Sequence, residues 1–427
     1  MSDLTPGQQI YQRIEALYPI CRSITGDGFR QSLAILGQHI PLELHEVPSG
    51  SSVLDWTVPK EWNIRDAYIK NARGEKIVDF QQSNLHILNY SVPVHQKVGL
   101  AELKEHLFSL PEHEDWIPYR TSYYKENWGF CVPHRLWKSL ADEEYEVVID
   151  STLENGTLAY GEYYLPGELA DEFLISVHCC HPSLCNDNLS GMGLAVQLAL
   201  TLAQRQRRYS YRFVFIPGTI GSITWLAANR DCAARVRHGL VIACVGDPGK
   251  LHYKKSRRGN AEVDRAVTQV LKHSGQEHEI IEFYPYGYDE RQYCSPGFNL
   301  PVGCLSRTPH GQFPQYHTSA DNLDFVRPEY LQDSFEKYME AIELIEGNRC
   351  YQNTHPYGEP QLGKRGLYGV FGGRKDSNLR EMAMLWVLNL SDGQHSLLDI
   401  VEQSGIHYSI IQEVADTLRH HDLLVEV

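Results

Sequence analysis

From residue 172 onward, short apolar runs alternate with longer stretches in which apolar residues recur every three or four positions. The apolar runs have the length and the flanking turn residues of buried strands, and they cover residues 173–177, 212–217 and 238–246. The longer stretches have the period of amphipathic helices, and they cover residues 191–206, 261–274 and 328–347. This alternation predicts an α/β domain in which helices are layered on a sheet.

The segments before and after this α/β pattern have different patterns of apolar and turn-forming residues. Residues 7–44 predict two helices joined by a turn, whereas residues 47–161 consist of short β-rich pieces separated by Pro, Gly and aromatic residues. After a loop at residues 348–373, three helical patterns and a strand-like C-terminus predict a winged helix. We therefore expect an α/β domain of residues 1–46 and 162–347, an inserted β-rich domain of residues 47–161, and a winged-helix-like domain of residues 348–427.

Charge narrows the classes of partner. The 427 residues include 39 Lys and Arg against 54 Asp and Glu, a formal net charge of -15, which argues against nucleic-acid and anionic-membrane partners. Residues 376–427 carry two basic and nine acidic residues, so a packing or protein-contact role is favoured over DNA reading. The N-terminal residues lack a secretion signal and no run approaches a membrane span, so we expect a cytoplasmic protein whose cysteines are free thiols.

The densest group of metal-ligand residue types lies in HCCHPSLCNDNLSGMG, residues 178–193, directly after the first apolar run. His178, His181 and Asp187 would lie at the carboxyl end of a strand, where α/β sheets collect ligands. Zn²⁺ takes three or four nitrogen, oxygen or sulfur ligands of these kinds. A helix N-cap is the alternative role for Asp187. The three cysteines of the segment lack the second Cys/His pair that a zinc knuckle requires.

Further acids and a histidine follow other predicted strands at distant points in the chain. Asp247 follows the run at 238–246, Asp289 and Glu290 lie in a later loop, and His317 lies in QYHTSADN. An acid before Pro and Gly is common in turns, so a turn-forming role for Asp247 has about equal weight with a ligand role.

Four motifs, in order, carry a resemblance to a known family: HCCHPSLCNDNLSGMG, FIPGTIGS, YDERQYCSPGFNLPVG and YHTSADN. Together they resemble the zinc aminopeptidase-like superfamily, which includes the glutaminyl cyclases, and most closely a bacterial branch with an inserted β domain and a C-terminal winged helix. The resemblance implies a mixed sheet sandwiched by helices. It also implies that zinc activates water against an N-terminal peptide or amide bond.

Carried over by position, the resemblance implies roles for individual residues. His181, or His178 at the strand end, looks like the first metal ligand, Asp187 like a carboxylate able to bridge two metals, and His317 like the late ligand. Asp289 matches an acid that supports the site without binding metal, and Asp247 corresponds only loosely to a metal carboxylate. One zinc ion held by His181, Asp187 and His317 is the most economical arrangement, and two ions remain compatible with the resemblance.

Gly218 departs from the family pattern. The branch places Glu before Thr-Ile-Gly-Ser, whereas this chain has Gly218 before Thr219. Glycine can neither accept a proton nor bind zinc, and a general base commonly contributes about 10²- to 10⁴-fold in rate. Three explanations stay open: Glu290 substitutes as the base, the protein is a catalytically silent metal- or ligand-binding descendant, or Gly218 is a change confined to this copy.

Three residues are candidates for substrate binding. Arg257 and Arg291 suit the bidentate recognition of a carboxylate or phosphate, and Tyr316 lies beside the predicted ligand His317. The sequence thus favours a zinc-dependent aminopeptidase-like metallohydrolase that acts on a small peptide or amide. The insertion and the winged helix would restrict access to the site or build a homo-oligomer. The alternative is a silent binding protein.

Overall fold

The computed structural model describes residues 4–367 and 377–427. Over these ranges the strands are β1 (Glu43–Pro48), β2 (Ser52–Val53), β3 (Trp56–Thr57), β4 (Glu61–Lys70), β5 (Lys76–Asp79), β6 (Val94–Gly99), β7 (Leu107–Phe108), β8 (Phe130–Cys131), β9 (Glu144–Glu154), β10 (Thr157–Leu165), β11 (Glu172–His178), β12 (Ser210–Ile216), β13 (Val236–Ile242), β14 (Leu251–Lys254), β15 (His278–Ile281), β16 (Val302–Ser306), β17 (Cys350–Asn353), β18 (Asp392–Ser396) and β19 (Leu424–Glu426).

The helices of the same ranges are α1 (Pro6–Leu17), α2 (Asp27–Leu36), α3 (Leu100–Glu105), α4 (His134–Ser139), α5 (Ser190–Ala203), α6 (Ile220–Ala228), α7 (Arg230–Ala233), α8 (Glu262–His273), α9 (Glu290–Tyr293), α10 (Pro328–Gly347), α11 (Ser377–Leu390), α12 (Leu397–Ser404) and α13 (Tyr408–His420). Within them, no helix is both long and apolar enough to cross a membrane.

An eight-stranded mixed sheet forms the centre of the α/β part, in the order β1-β10-β12-β11-β13-β16-β14-β15. Strands β12, β11, β13 and β16 run parallel to one another, so their carboxyl ends meet at one edge. Every residue of β11 is buried, as expected for a parallel strand covered on both faces, and this explains its unbroken apolar run. The predicted mixed sheet flanked by helices is confirmed.

The region predicted as an insertion contains a separate antiparallel sheet in the order β5-β4-β9-β6. The strands on either side of it, β1 and β10, pair with each other in the central sheet instead. Inward-facing residues such as Trp62, Ile69 and Val147 are buried, whereas their neighbours along the strands are more exposed, which is the alternation of a sheet with one covered face.

The chain divides into two compact units, one of residues up to 261 with 277–336, the other of residues 262–276 with 337–427. The three domain boundaries expected from the sequence stay predictions. The second unit contains α11 to α13 and the three-stranded sheet β18-β17-β19, the elements expected of a winged helix. Ser396 and Asp399 form a capping box that fixes the start of α12. Of the loop expected at residues 348–373, the part from residue 368 lies outside the described residues.

Candidate metal centre

His178 and Asp187 form the buried end of the site. His178 is the last residue of β11, and Asp187 lies in a single irregular turn, Cys185–Leu189, that leads into α5. The Nε2 atom of His178 lies 2.9 Å from Oδ1 of Asp187. Asp187 is fully buried, so its carboxylate depends on protein groups or an ion for compensation.

Two more imidazoles approach the other oxygen of the same carboxylate. His317 Nε2 lies 2.9 Å and His181 Nε2 lies 3.9 Å from Asp187 Oδ2. The ligating atoms of His178, His181 and Asp187 all lie within 4.8 Å of one another. His317 is not part of that group of three, but its Nε2 atom approaches the same carboxylate; the four residues are called the ligand group below.

This donor set fits a zinc ion. In a tetrahedral site with bonds of about 2.0–2.1 Å, neighbouring ligand atoms are about 3.3 Å apart, and the 2.9 and 3.9 Å separations bracket that value. Burial lowers the pKa of His181 well below its usual value, which favours the neutral imidazole that binds metal. Burial alone would raise the pKa of Asp187, but the three imidazoles outweigh it and hold that pKa well below its usual range.

Buried groups outside the predicted set hold the ligand-bearing loops. The Asp321 carboxylate accepts the backbone N–H groups of Asn186 at 2.6 Å and Asp187 at 3.0 Å, and burial raises the pKa of Asp321 to about 8. Arg22 Nε donates to the carbonyl of His181 at 3.0 Å. Asp321 lies inside the YHTSADN motif, so the motif could have identified it as a residue of the site. The sequence around Arg22 contains no comparable motif.

The inserted region contributes directly to the site. The backbone N–H of Tyr119 donates to the carbonyl of His317 at 2.7 Å, and that of Ser319 donates to the carbonyl of Ile117 at 2.8 Å. The Tyr119 ring packs edge-on against both His181 and His317, with ring centroids 5.1 Å away in each case. His317 has a φ of +55°, which is unfavourable for a non-glycine residue, so these contacts help to impose its conformation.

Asp247 has a different position from the one that the ligand alternative requires. Its Oδ1 accepts from Gly249 N at 2.7 Å and from Thr308 Oγ1 at 2.5 Å. Its Oδ2 accepts from Asn186 Nδ2 at 3.0 Å and Thr308 N at 3.2 Å. Both oxygens are thus engaged by protein donors, and Asp247 is not part of the His178–His181–Asp187 group. The geometry favours the turn and bracing alternative.

The backbone of Gly218 lies close to the side chains of His178 and Asp289. A Cβ atom added to Gly218 would lie 3.0 Å from His178 Cβ and 3.3 Å from Asp289 Oδ2. Asp289 Oδ1 accepts from Ser222 Oγ at 2.6 Å, whereas Oδ2 is buried without a hydrogen-bond partner among the described residues. Burial raises the pKa of Asp289 to about 6.

Glu290, the sequence candidate for a substitute base, is tied to a lysine. Its Oε1 accepts from Lys254 Nζ at 2.8 Å, and both side chains are buried. Lys254 Nζ also donates to the carbonyl of Tyr286 at 2.6 Å. Tyr288 lines a small cavity together with Glu290, and its ring stacks on His178 with ring centroids 4.9 Å apart. This geometry does not favour Glu290 as the base.

The three candidates for substrate binding are dispersed. Tyr316 stacks on His317 with ring centroids 3.9 Å apart and so lies at the ligand group. Arg257 is exposed and donates to Asn299 Oδ1 at 3.0 Å. The Arg291 guanidinium lies 5.6 Å from the centroid of the Tyr286 ring. The stacking of Tyr316 on His317 makes it the best placed of the three to contact a substrate at the ligand group.

Comparison with known proteins identifies relatives over nearly the whole chain. The family model described as a domain of unknown function, DUF4910, matches residues 11–348, and a winged helix-turn-helix model matches residues 349–426. A Clostridium acetobutylicum protein, described as a candidate polysaccharide biosynthesis protein with an aminopeptidase-like domain, is 54% identical over 418 residues, which cover 98% of this chain and 96% of that protein.

Solved structures extend the comparison to the fold. A crystal structure of a candidate peptidase from Clostridium acetobutylicum has a TM-score of 0.94 at 52% identity, over 99% of this chain and 96% of that chain. A zinc aminopeptidase from Bacillus subtilis has a TM-score of 0.58 at 13% identity, over 79% of this chain and 94% of that chain. The zinc aminopeptidase-like fold implied by the four motifs is thereby confirmed. The chain belongs to the DUF4910 family and joins that domain to a C-terminal winged helix-turn-helix domain.

Proposed function

We propose that the protein is a zinc-dependent, aminopeptidase-like metallohydrolase that cleaves an N-terminal peptide or amide bond of a small substrate. The observation that carries the proposal is the convergence of three imidazoles on the buried Asp187 carboxylate. A purely structural buried carboxylate needs neutralisation by a partner, but it does not need three histidines at the carboxyl edge of a sheet.

His181 and Asp187 would hold one zinc ion. The second nitrogen ligand would be His317, as the motifs imply, or His178, whose ligating atom lies within 4.8 Å of those of His181 and Asp187. A bound zinc ion supplies Lewis-acid chemistry: it polarises a carbonyl oxygen and lowers the pKa of water. Other residues of the chain hold the metal ligands in position. Asp321 and Arg22 fix the two ends of the loop that carries His181 and Asp187, and Tyr119 fixes His317.

The surroundings of the ligand group favour a small substrate. Three tyrosine rings pack against its histidines: Tyr288 on His178, Tyr119 on His181 and His317, and Tyr316 on His317. Rings packed this closely on the histidines would leave room beside them for a small apolar or aromatic group of the substrate. Because the 54% identical relative is described as a candidate polysaccharide biosynthesis protein, amides of amino sugars belong in the substrate panel beside aminoacyl arylamides.

A second candidate function is favoured by Gly218. Without a carboxylate at that position, the fold could bind a metal and a ligand without hydrolysing it. The two functions separate experimentally. Hydrolysis by the zinc-loaded wild-type protein supports the enzyme. A zinc-loaded protein that binds substrate analogues but shows no turnover, even as Gly218→Glu, supports the binder.

We also propose that the winged helix makes protein contacts and does not bind nucleic acid. The two basic residues of positions 376–427, Arg380 and Arg419, form ion pairs with Glu413 at 2.9 Å and Asp416 at 3.6 Å. Both positive charges are therefore partly neutralised within the domain, and the remaining surface charge is acidic.

The direct test is metal analysis of protein purified without chelator, followed by assays of the zinc-loaded protein on the substrate panel. Asp187→Ala serves as the inactive variant, and His95→Ala, at an exposed position on β6, serves as the matched histidine control. We expect about one zinc per chain and turnover that Asp187→Ala abolishes and His95→Ala leaves unchanged. Protein that binds no zinc would refute the proposal.

A further inference from the structure

A buried carboxylate oxygen faces the position at which the family pattern has Glu and this chain has glycine. Asp289 Oδ2 would lie 3.3 Å from a Cβ atom at residue 218, it is buried, and it has no hydrogen-bond partner among the described residues. A buried acceptor without a partner is costly and uncommon, and such groups concentrate where a ligand or a reacting molecule completes them.

We propose that Asp289 takes the place of the carboxylate that Gly218 lacks, and that its Oδ2 atom is the proton acceptor for the attacking water. This inference rests on the proposed hydrolase function. The water oxygen forms the new bond to the amide carbonyl carbon, and its proton goes to Asp289 Oδ2. The same proton then passes from Asp289 to the leaving nitrogen as the C–N bond breaks, so that the carboxylate is regenerated.

The environment of Asp289 is suited to that role. Ser222 Oγ donates to Oδ1 at 2.6 Å, and this bond orients the carboxylate so that Oδ2 remains open. Gly218 and Ser222 belong to the same FIPGTIGS segment, which ends β12 and begins α6, so a single segment provides both the space and the orienting hydroxyl.

The alternative base is less well placed. Glu290 is bound at Oε1 by Lys254 in a buried ion pair, which holds its carboxylate beside a permanent positive charge. Glu290 Oε2 is also buried without a hydrogen-bond partner among the described residues, so position distinguishes the two acids: Asp289 Oδ2 faces the space at residue 218, beside His178.

The test is a double-mutant cycle on the full-length, zinc-loaded protein with an aminoacyl 4-nitroanilide. Asp289→Asn keeps the shape and removes the proton acceptor, so we expect kcat to fall about 10²- to 10³-fold with KM and zinc content unchanged. Asp289→Glu should retain more activity than Asp289→Asn, and Ser222→Ala should lower kcat about tenfold. In the Gly218→Glu background the new carboxylate takes the proton, so Asp289→Asn should cost less than tenfold there.

Gly218→Ala is the steric control for Gly218→Glu, because it adds the Cβ atom without a carboxylate. Two outcomes would overturn this inference while leaving the proposed hydrolase intact. One is an Asp289→Asn variant with the kcat of the wild type. The other is an equal loss of kcat on Asp289→Asn in the wild-type and Gly218→Glu backgrounds. No turnover by any zinc-loaded variant would overturn the proposed hydrolase and this inference together. A drop in zinc content for Asp289→Asn would show a structural role and would also overturn it.

Discussion

The Nε2 atom of His317 lies 2.9 Å from the Oδ2 atom of Asp187, although the two residues are 130 positions apart in the chain. Asp187 is placed by the turn after β11, and His317 by a separate loop after β16. A contact of this kind exists only in the folded protein, so metal binding and folding of these loops are linked.

Substitution of single ligands should separate the four candidates. We expect Asp187→Ala and His317→Ala each to weaken zinc binding at least about 100-fold, because each removes a ligand and not only a supporting contact. His181→Ala and His178→Ala then identify the remaining nitrogen ligand, since the true ligand shows the larger loss. Chelator competition measures the affinities, with His95→Ala as the control. Zinc binding unchanged by Asp187→Ala would contradict the assignment.

Tyr119 should control zinc affinity from the inserted region. Tyr119→Ala removes the ring that packs on His181 and His317, so we expect zinc to bind about 10- to 100-fold more weakly. Tyr119→Phe keeps the ring and loses only the 2.6 Å hydroxyl contact with Tyr123, so it should bind zinc nearly as the wild type does. Equal losses in the two variants would show that the hydroxyl, and not the packing, matters.

The loops that carry Asp187 and His317 differ in how much of their contacts the sequence predicts. The positions of His178, His181 and Asp187 are predictable because all three follow one apolar strand within ten residues, and strand ends converge in α/β sheets. Tyr119 was not predictable, because it lies in a β-rich segment whose pairing with the His317 loop depends on tertiary structure.

The roles of Asp247 and Asp289 could not be told apart from the sequence. Asp247 and Asp289 both follow predicted strands, and the residue type alone does not separate a ligand, a brace and a base. The distinction depends on hydrogen-bond partners: Thr308 and Asn186 occupy both oxygens of Asp247, whereas Ser222 leaves one oxygen of Asp289 open.

Asp321 should contribute measurably to the stability of the first unit. Above its raised pKa of about 8, Asp321 accepts the N–H groups of Asn186 and Asp187 with two carboxylate oxygens. Asp321→Asn leaves one carbonyl oxygen, so at that pH a buried donor loses its partner. We expect the free energy of unfolding to fall by about 1–3 kcal/mol, measured by urea denaturation of the zinc-free protein. Asp324→Asn, a nearby exposed substitution, is the control. No difference between the two variants would contradict the bracing role.

The ion pair between Arg30 and Glu61 should make stability depend on pH. Hydrogen bonds from Arg30 lower the pKa of Glu61 to about 2, with Nη2–Oε2 at 2.7 Å. A depressed folded-state pKa adds stability above the unfolded-state value, about 4.3, and that stability is lost as the pH falls toward 2. Glu61→Gln should therefore be less stable than the wild type at pH 7, and the gap should narrow at pH 3. Urea denaturation at the two pH values tests this, with Glu105→Gln on α3 as the exposed control. A gap that widens on acidification would contradict it.

The winged helix should not bind duplex DNA. In residues 376–427 both arginines are ion-paired and nine acidic residues stand against two basic ones, so we expect no shift of a labelled duplex by the full-length protein even at about 50 mM salt, where electrostatic binding is strong. Micromolar binding that weakens steeply with added salt would refute the proposed protein-contact role.

The most direct test of the central claim is a crystal structure of the zinc-loaded protein, with anomalous diffraction measured on both sides of the zinc absorption edge. We expect an anomalous peak about 2.0–2.2 Å from an oxygen of Asp187 and from ring nitrogens of His317 and of His181 or His178. A fully loaded crystal with no peak beside Asp187, or with zinc bound only elsewhere, would contradict it.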